Sequence, residues 1–336
     1  MVTPEPHPPA ESAPFLRVFA VASGGAPVDF ARFMELALYH PEAGYYRRHR
    51  PRVGLEPGTD FHTATSLGPV FGELVVAAAL RLLGPEDPQG LTFVELGAEP
   101  GGSVLAGVAH PFGAVRTLRL GDDLQATGRC IVFSNELFDA QPFHRLRRSG
   151  GRWRETGVVA TGATLAEVDL PDFSPAVQAF AGRLPDAAPE GYRLDLPLAA
   201  AALCAQLAAG TWTGLFLAFD YGKSWAEMAG ELPAGTARAY RQHRQVADLL
   251  AHPGEQDLTC HLCWDWLADA LATAGFETPV LESQEAFFLH HAATTAERIA
   301  TAAPRGPDPR RSRLQHLLHP ALLGQRFQVL WARRQG

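Results

Sequence analysis

The chain has 336 residues, 46% of them hydrophobic, enough for one large α/β domain with insertions or for two small ones with real cores. A net charge of −7 and a pI near 6.0 argue against nonspecific nucleic-acid binding. Four scattered cysteines, Cys130, Cys204, Cys260 and Cys263, exclude a disulfide framework and fit a reducing cytoplasm, and no apolar run reaches membrane-spanning length.

Residues 1–27 carry Pro4, Pro6, Pro8, Pro9 and Pro14 and are expected to be a poorly ordered leader. From Asp29, a plausible N-cap, the spacing of Phe30, Phe33, Met34, Leu36 and Leu38 predicts a helix that ends near His40-Pro41. The aromatic and cationic run from Gly44 to Arg52 suits a solvated loop better than a phosphate site. Gly58 to Ala64, which includes Thr63, reads as a polar turn, and a helix with Phe71, Leu74, Val75, Ala78 and Leu82 follows and stops at Gly84-Pro85.

Thr92 to Leu96 is apolar apart from Thr92 and Glu95, and Gly97, Gly101 and Gly102 come directly after it. This pattern reads as a buried parallel strand running into a tight loop at the carboxyl end of a sheet, where ligands bind. A pyrophosphate fingerprint would need a glycine where Glu99 stands. An acid at the strand end with a shorter glycine loop suits a cationic, zwitterionic or hydroxyl-bearing cofactor, and S-adenosyl-L-methionine (SAM) fits that description. Ser103 to His110 reads as a short helix and Val115 to Leu120 as a strand. Asp122 follows Gly97 at close to the interval of about 20 residues at which a second-strand acid meets a ribose. Capping of a short helix around Leu124 to Thr127 explains it equally well.

Cys130 to Ser134 is a second apolar strand, delivering Asn135, Glu136 and Asp139 together. Such a carboxylate pair suits a guanidinium or ammonium group, although capping of the next helix or pairing with Arg145 is also open. Phe143 to Leu170 alternates around glycine turns and reads as an inserted β-hairpin region. Pro197 to Ala209 reads as a helix, and Gly214 to Phe219 as a strand ending at Asp220-Tyr221-Gly222. The stretches around His243 and His261 are candidates to line a substrate cleft, and Cys260 and Cys263, a lone Cys-x-x-Cys, do not make a metal site. Beyond a helix through Trp264 and Leu271, a strand is expected near Pro279 to Glu282. His290-His291 reads as a surface pair, since neighbours on a helix do not face one way. Pro304 to Arg313 reads as a loop and Arg326 to Arg333 as a final strand.

With these residues assembled, the sequence resembles the MidA-type family of SAM-dependent methyltransferases, whose mitochondrial members methylate an arginine in a complex I subunit and assist its assembly. The resemblance runs from about Asp29 to Trp331. It is carried by Phe33-Met34 through Leu38-Tyr39-His40-Pro41 to Gly44-Tyr45-Tyr46, by Asp60-Phe61 with Thr63, by Phe71-Gly72-Glu73 and by Glu95-Leu96-Gly97 with Gly101. Asn135-Glu136-Leu137-Phe138-Asp139-Ala140 is the strongest match, followed by Asp220-Tyr221-Gly222, Arg238-Ala239-Tyr240 with His243, and Asp257-Leu258-Thr259 with His261. The sequence departs from the family at Glu99, usually a glycine, and in a shortened stretch between Gly102 and Ile131.

The resemblance implies an α/β, Rossmann-like class I methyltransferase fold. Its seven-stranded, mostly parallel sheet would have an antiparallel last strand near Phe327 to Trp331 and would be trimmed at one edge. It implies one domain over 28–336, made of an N-terminal helical segment (28–84), a cofactor-binding half (91–142), an inserted subdomain (143–196) and the remainder (197–336). The expected cofactor is SAM, held by Glu95, Gly97, Gly101, Asp122, Asn135 and Thr63. The expected catalytic residues are Glu136, Asp139 and Asn135, acting on a protein arginine, with Asp220, Tyr221, His243 and His261 toward the substrate and no metal. A protein substrate, no nucleic-acid or membrane partner, a cytoplasmic location and room for a homodimer complete the expectation. The rival reading is a noncatalytic assembly protein with an eroded SAM pocket. A nicotinamide-dependent oxidoreductase is disfavoured because the three-glycine fingerprint is missing.

Overall fold

The structure, a computed structural model, describes residues 13–48, 64–302 and 308–336. The chain divides into two compact units, each drawn from three separate stretches: 1–61, 140–200 and 223–263 in the first, and 62–139, 201–222 and 264–336 in the second.

The second unit holds a six-stranded sheet formed by β1 (Thr92–Leu96), β2 (Ala114–Leu118), β3 (Arg129–Asn135), β4 (Thr213–Asp220), β5 (Val280–Ser283) and β6 (Gln328–Arg334). Their order across the sheet is β5-β6-β4-β3-β1-β2. β2, β1, β3 and β4 run parallel, and β6 is antiparallel to both β4 and β5. The antiparallel last strand is therefore where the sequence puts it, and six strands stand where seven are expected among the described residues. The central strands are near-continuous apolar runs because helices and loops cover them, and Phe71, Phe93, Phe133, Phe219 and Phe288 fill the core. Phe219 packs edge-on to Phe71, with ring centroids 5.3 Å apart, and stacks on Phe288 at 5.6 Å. Pro69 occupies the first turn of the helix Pro69–Leu83. On that helix Gly72 lies so near the Val104 carbonyl that a Cβ would stand 2.1 Å from its oxygen. Glu73, one residue on, pairs with Arg310 at 2.7 Å and Arg298 at 3.2 Å.

The first unit has a five-stranded sheet of Val28–Asp29, His144–Ser149, Arg152–Thr161, Thr164–Asp169 and Arg193–Leu196. The hairpins expected from Phe143 to Leu170 supply three of its strands, His144–Ser149, Arg152–Thr161 and Thr164–Asp169. Asp29 caps the helix Phe30–Tyr39, its carboxylate accepting Arg32 N–H at 2.8 Å. Buried charges here are paired: Arg145 donates to Asp195 and Glu167, both at 2.9 Å, and Glu155 accepts from Ser174 Oγ at 2.9 Å and lies 2.8 Å from His144 Nδ1.

Three expectations are corrected. Part of the expected leader is a helix, Ala13–Ser23, because Phe15 and Phe19 sit four residues apart on one face and enter the core of the first unit. Ser103 to His110 is a series of turns, since Gly101 and Gly107 adopt positive φ and the Val104 N–H bonds to a side chain rather than to a helical carbonyl. Residues 309–313 of the expected Pro304–Arg313 loop begin a helix, Pro309–Leu318. Asp308 caps it, accepting Arg310 N–H at 2.9 Å, with proline at its first position.

Candidate active site

Parallel strands β1, β3 and β4 end side by side in the second unit. Leu96 pairs with Ser134 and Asn135 with Phe219, so Gly97, Asn135 and Asp220 emerge at neighbouring strand ends. The chain leaves β1 for β2 on one side and later places β3 on the other, which makes the gap between β1 and β3 a topological switch point.

The loop after β1 is closed by its own acid. Glu95 accepts Ser103 Oγ at 2.6 Å and Val104 N–H at 2.9 Å. Burial raises the pKa of Glu95, while the bonds from Ser103 and Val104 and the Arg119 guanidinium pull the other way. Gly97 turns the chain with φ +73°, a conformation that costs other residues, and its N–H donates to Leu118 O at 2.8 Å. A Cβ on Gly97 would stand 2.7 Å from the Leu137 side chain. Gly101 also has positive φ, but open space surrounds it.

The loop after β3 carries the acids. Asn135 Nδ2 donates to Glu136 Oε1 at 3.0 Å. Glu136 has φ +51°, rare for a residue with a side chain, and its N–H donates to Phe219 O at 2.9 Å. From the neighbouring strand end, Asp220 Oδ2 accepts the backbone N–H of Phe138 at 3.1 Å and of Asp139 at 3.3 Å, and its Oδ1 accepts Tyr221 N–H at 2.9 Å. Complete burial raises the Asp220 pKa well above the usual carboxylate range, and the Asp139 charge adds to this. Asn135, Glu136, Asp139, Asp220 and Tyr221 thus form one constellation.

Not every expected residue presents itself as anticipated. Asp220, expected toward substrate, has both oxygens engaged by backbone and is fully buried, so it supports the Asn135–Asp139 turn. Asp122 caps neither a helix nor a strand: residues 121–128 contain no helix, and its Oδ2 accepts Arg119 N–H at 2.8 Å. His243 and His261 belong to the first unit, the former in the two-residue turn of the hairpin Arg238–Arg241 to Arg244–Val246. His261 is held neutral by burial and by the charges of Arg238 and Lys223, its pKa lowered to about 4. Thr63 lies outside the described residues. Ser103, which closes the Glu95 loop, was missed. The sequence signal was a hydroxyl soon after a strand-end acid.

A cofactor with cationic and hydroxyl groups fits the donor set. Asn135 Oδ1 is buried at the switch point with no hydrogen-bond partner among the described residues, an acceptor aimed at an absent donor.

Comparison with known proteins adds the following. Residues 117–281 match the Methyltransf_28 family model, described as S-adenosyl-L-methionine-dependent methyltransferase. The chain is 27% identical to the protein arginine methyltransferase NDUFAF7 homolog, mitochondrial, of Drosophila melanogaster, over 97% of this chain and 87% of that protein. It is 26% identical to protein arginine methyltransferase NDUFAF7, mitochondrial, of Xenopus tropicalis, over 74% and 68%. A crystal structure of a COG1565 superfamily member from Burkholderia thailandensis bound to S-adenosyl-homocysteine is similar with TM-score 0.83 and 25% identity, covering 100% of this chain and 96% of that one. A native crystal structure of a COG1565 superfamily protein from the same organism, at 24% identity and TM-score 0.79, covers 100% and 96% and supports the fold. The chain is thus similar to SAM-dependent methyltransferases of the MidA type.

Proposed function

We propose that this methyltransferase modifies an arginine side chain of a protein substrate. The acidic turn at the end of β3 carries the proposal: Glu136 and Asp139 stand beside the strand-end gap, with Asp220 behind them bonding to the turn's backbone. The names of the Drosophila and Xenopus relatives support an arginine acceptor.

Bound SAM supplies an electrophilic methyl group on a sulfonium. In this reading the Asn135 carbonyl and the Gly97 and Gly101 turns hold the amino-acid end, Glu95 keeps their loop closed, and Asp122 faces the nucleoside. Glu136 and Asp139 would grip the guanidinium, orient one nitrogen toward the methyl group and balance its charge, and Glu136 would accept the proton that this nitrogen gives up on methylation. Tyr221, at the end of β4, is proposed to contact the protein around the arginine.

The test is transfer of labelled methyl groups to a lysate depleted of this protein, followed by identification of the modified residue. Glu136→Gln is expected to lower transfer by roughly 10²-fold while calorimetric SAM binding stays within a few-fold. Label on a residue other than arginine, or full transfer by Glu136→Gln, sinks the proposal. Absence of SAM binding by the unaltered protein would favour the noncatalytic reading. No helix among the described residues is long and apolar enough to cross a membrane. Light scattering tests the homodimer.

A further inference from the structure

Away from the strand-end site, three ligand-type side chains converge at the other edge of the sheet. Glu282 lies on the edge strand β5, and the helix Gln284–His291 begins directly after that strand. Ser283 caps this helix, accepting Ala286 N–H at 3.2 Å. In its last turn the helix brings both histidines back to the strand: His290 Nδ1 lies 2.5 Å from Glu282 Oε1 and His291 Nε2 lies 3.1 Å from Oε2. His290 lies at the surface as expected, but the two rings do converge on one group. Successive residues reach one carboxylate because one ring uses its near nitrogen and the other its far one.

The constellation is built rather than incidental. Its three ligand atoms lie within 4.8 Å of one another. Trp331 Nε1, from β6, donates to Glu282 Oε2 at 2.9 Å and fixes the carboxylate. The His291 ring packs against Phe287, with centroids 5.0 Å apart, and against Trp331 at 5.5 Å. Glu282 and His291 are 14% and 17% exposed and His290 is 64% exposed, so two ligands are held in place and the third opens to solvent.

We propose that Glu282, His290 and His291 bind a divalent transition-metal ion such as Zn²⁺. Two imidazole nitrogens and one carboxylate oxygen are a zinc donor set that leaves one position for water, whereas Mg²⁺ and Ca²⁺ call for oxygen ligands throughout. The indole N–H on the carboxylate is the kind of outer contact that orients a metal ligand. Metal binding requires the two liganding imidazole nitrogens to be unprotonated. The ion would clamp the end of the helix to β5, independently of methyl transfer.

The test uses the full chain after treatment with a chelator. Calorimetry with Zn²⁺ is expected to show one ion per chain, and Co²⁺ to give the visible absorption of a nitrogen- and oxygen-ligated site. Zn²⁺ should raise the melting temperature. His290→Ala, an exposed position that leaves the fold intact, and Glu282→Gln should each lower the affinity at least tenfold, whereas His316→Ala should leave it unchanged. No saturable binding, or affinity unaltered in His290→Ala, overturns the proposal.

Discussion

Asp220 accepts the backbone N–H of Asp139 at 3.3 Å, so one acid at the end of β4 fixes where the other, at the end of β3, presents its side chain. The same oxygen takes the Phe138 N–H, and the partner oxygen takes that of Tyr221. Asp220→Ala would leave these buried donors without an acceptor, at a cost of roughly 1–3 kcal/mol. Urea unfolding should show this loss, and methyl transfer should fall further than SAM affinity. Unchanged stability and transfer would mean the turn is held by something else.

Glu136 holds φ +51°. Replacement by glycine relieves that strain and increases the freedom of the unfolded chain, two effects of about 1 kcal/mol each that oppose one another. Stability is therefore expected to change by less than about 1 kcal/mol, while transfer is lost with the carboxylate. A Glu136→Gly protein that unfolds early would show the side chain to be a structural support.

Gly97 and Gly101 offer a paired comparison. Both have positive φ, so alanine at either costs about 1–2 kcal/mol of backbone strain. At Gly97 the new methyl group also meets Leu137, whereas at Gly101 it meets open space. Gly97→Ala should therefore be the less stable variant in thermal unfolding and should bind SAM more weakly. Equal effects at the two sites would contradict the packing argument.

His261 gives a pH signature. Its folded pKa is lowered to about 4 by burial and by Arg238 and Lys223, below the 6.5 of an ordinary histidine. The unfolded chain thus takes up a proton that the folded one refuses, and stability falls as pH drops from about 6.5 to about 4, by roughly 2–3 kcal/mol. His261→Gln should flatten that part of the curve in urea unfolding at pH 4.5, 5.5 and 7. Parallel curves for the two proteins would refute the assignment.

Strand ends were the most legible part of the chain, because apolar runs such as Cys130 to Phe133 stop abruptly at polar residues and only a buried parallel strand does both. Asp29 was legible for the same local reason, a cap followed by a periodic face. The failures share a cause in nonlocal partners. Ser103 to His110 has helical apolar spacing, yet Glu95 captures the Val104 N–H. Asp220 reads as a free acid until its three backbone donors are seen, and an arginine-rich run hid the Asp308-Pro309 helix start. The interleaving of two units from six stretches leaves no local mark on composition.

That interleaving has a practical consequence for anyone dissecting the molecule. A single break after Asp139 would put β1 to β3 on one fragment and β4 to β6 on the other, and it would also split the first unit between them. Neither fragment would carry a finished sheet. Limited proteolysis should accordingly yield nicked but associated chains rather than separable modules, and activity should be recoverable only when both pieces are refolded together.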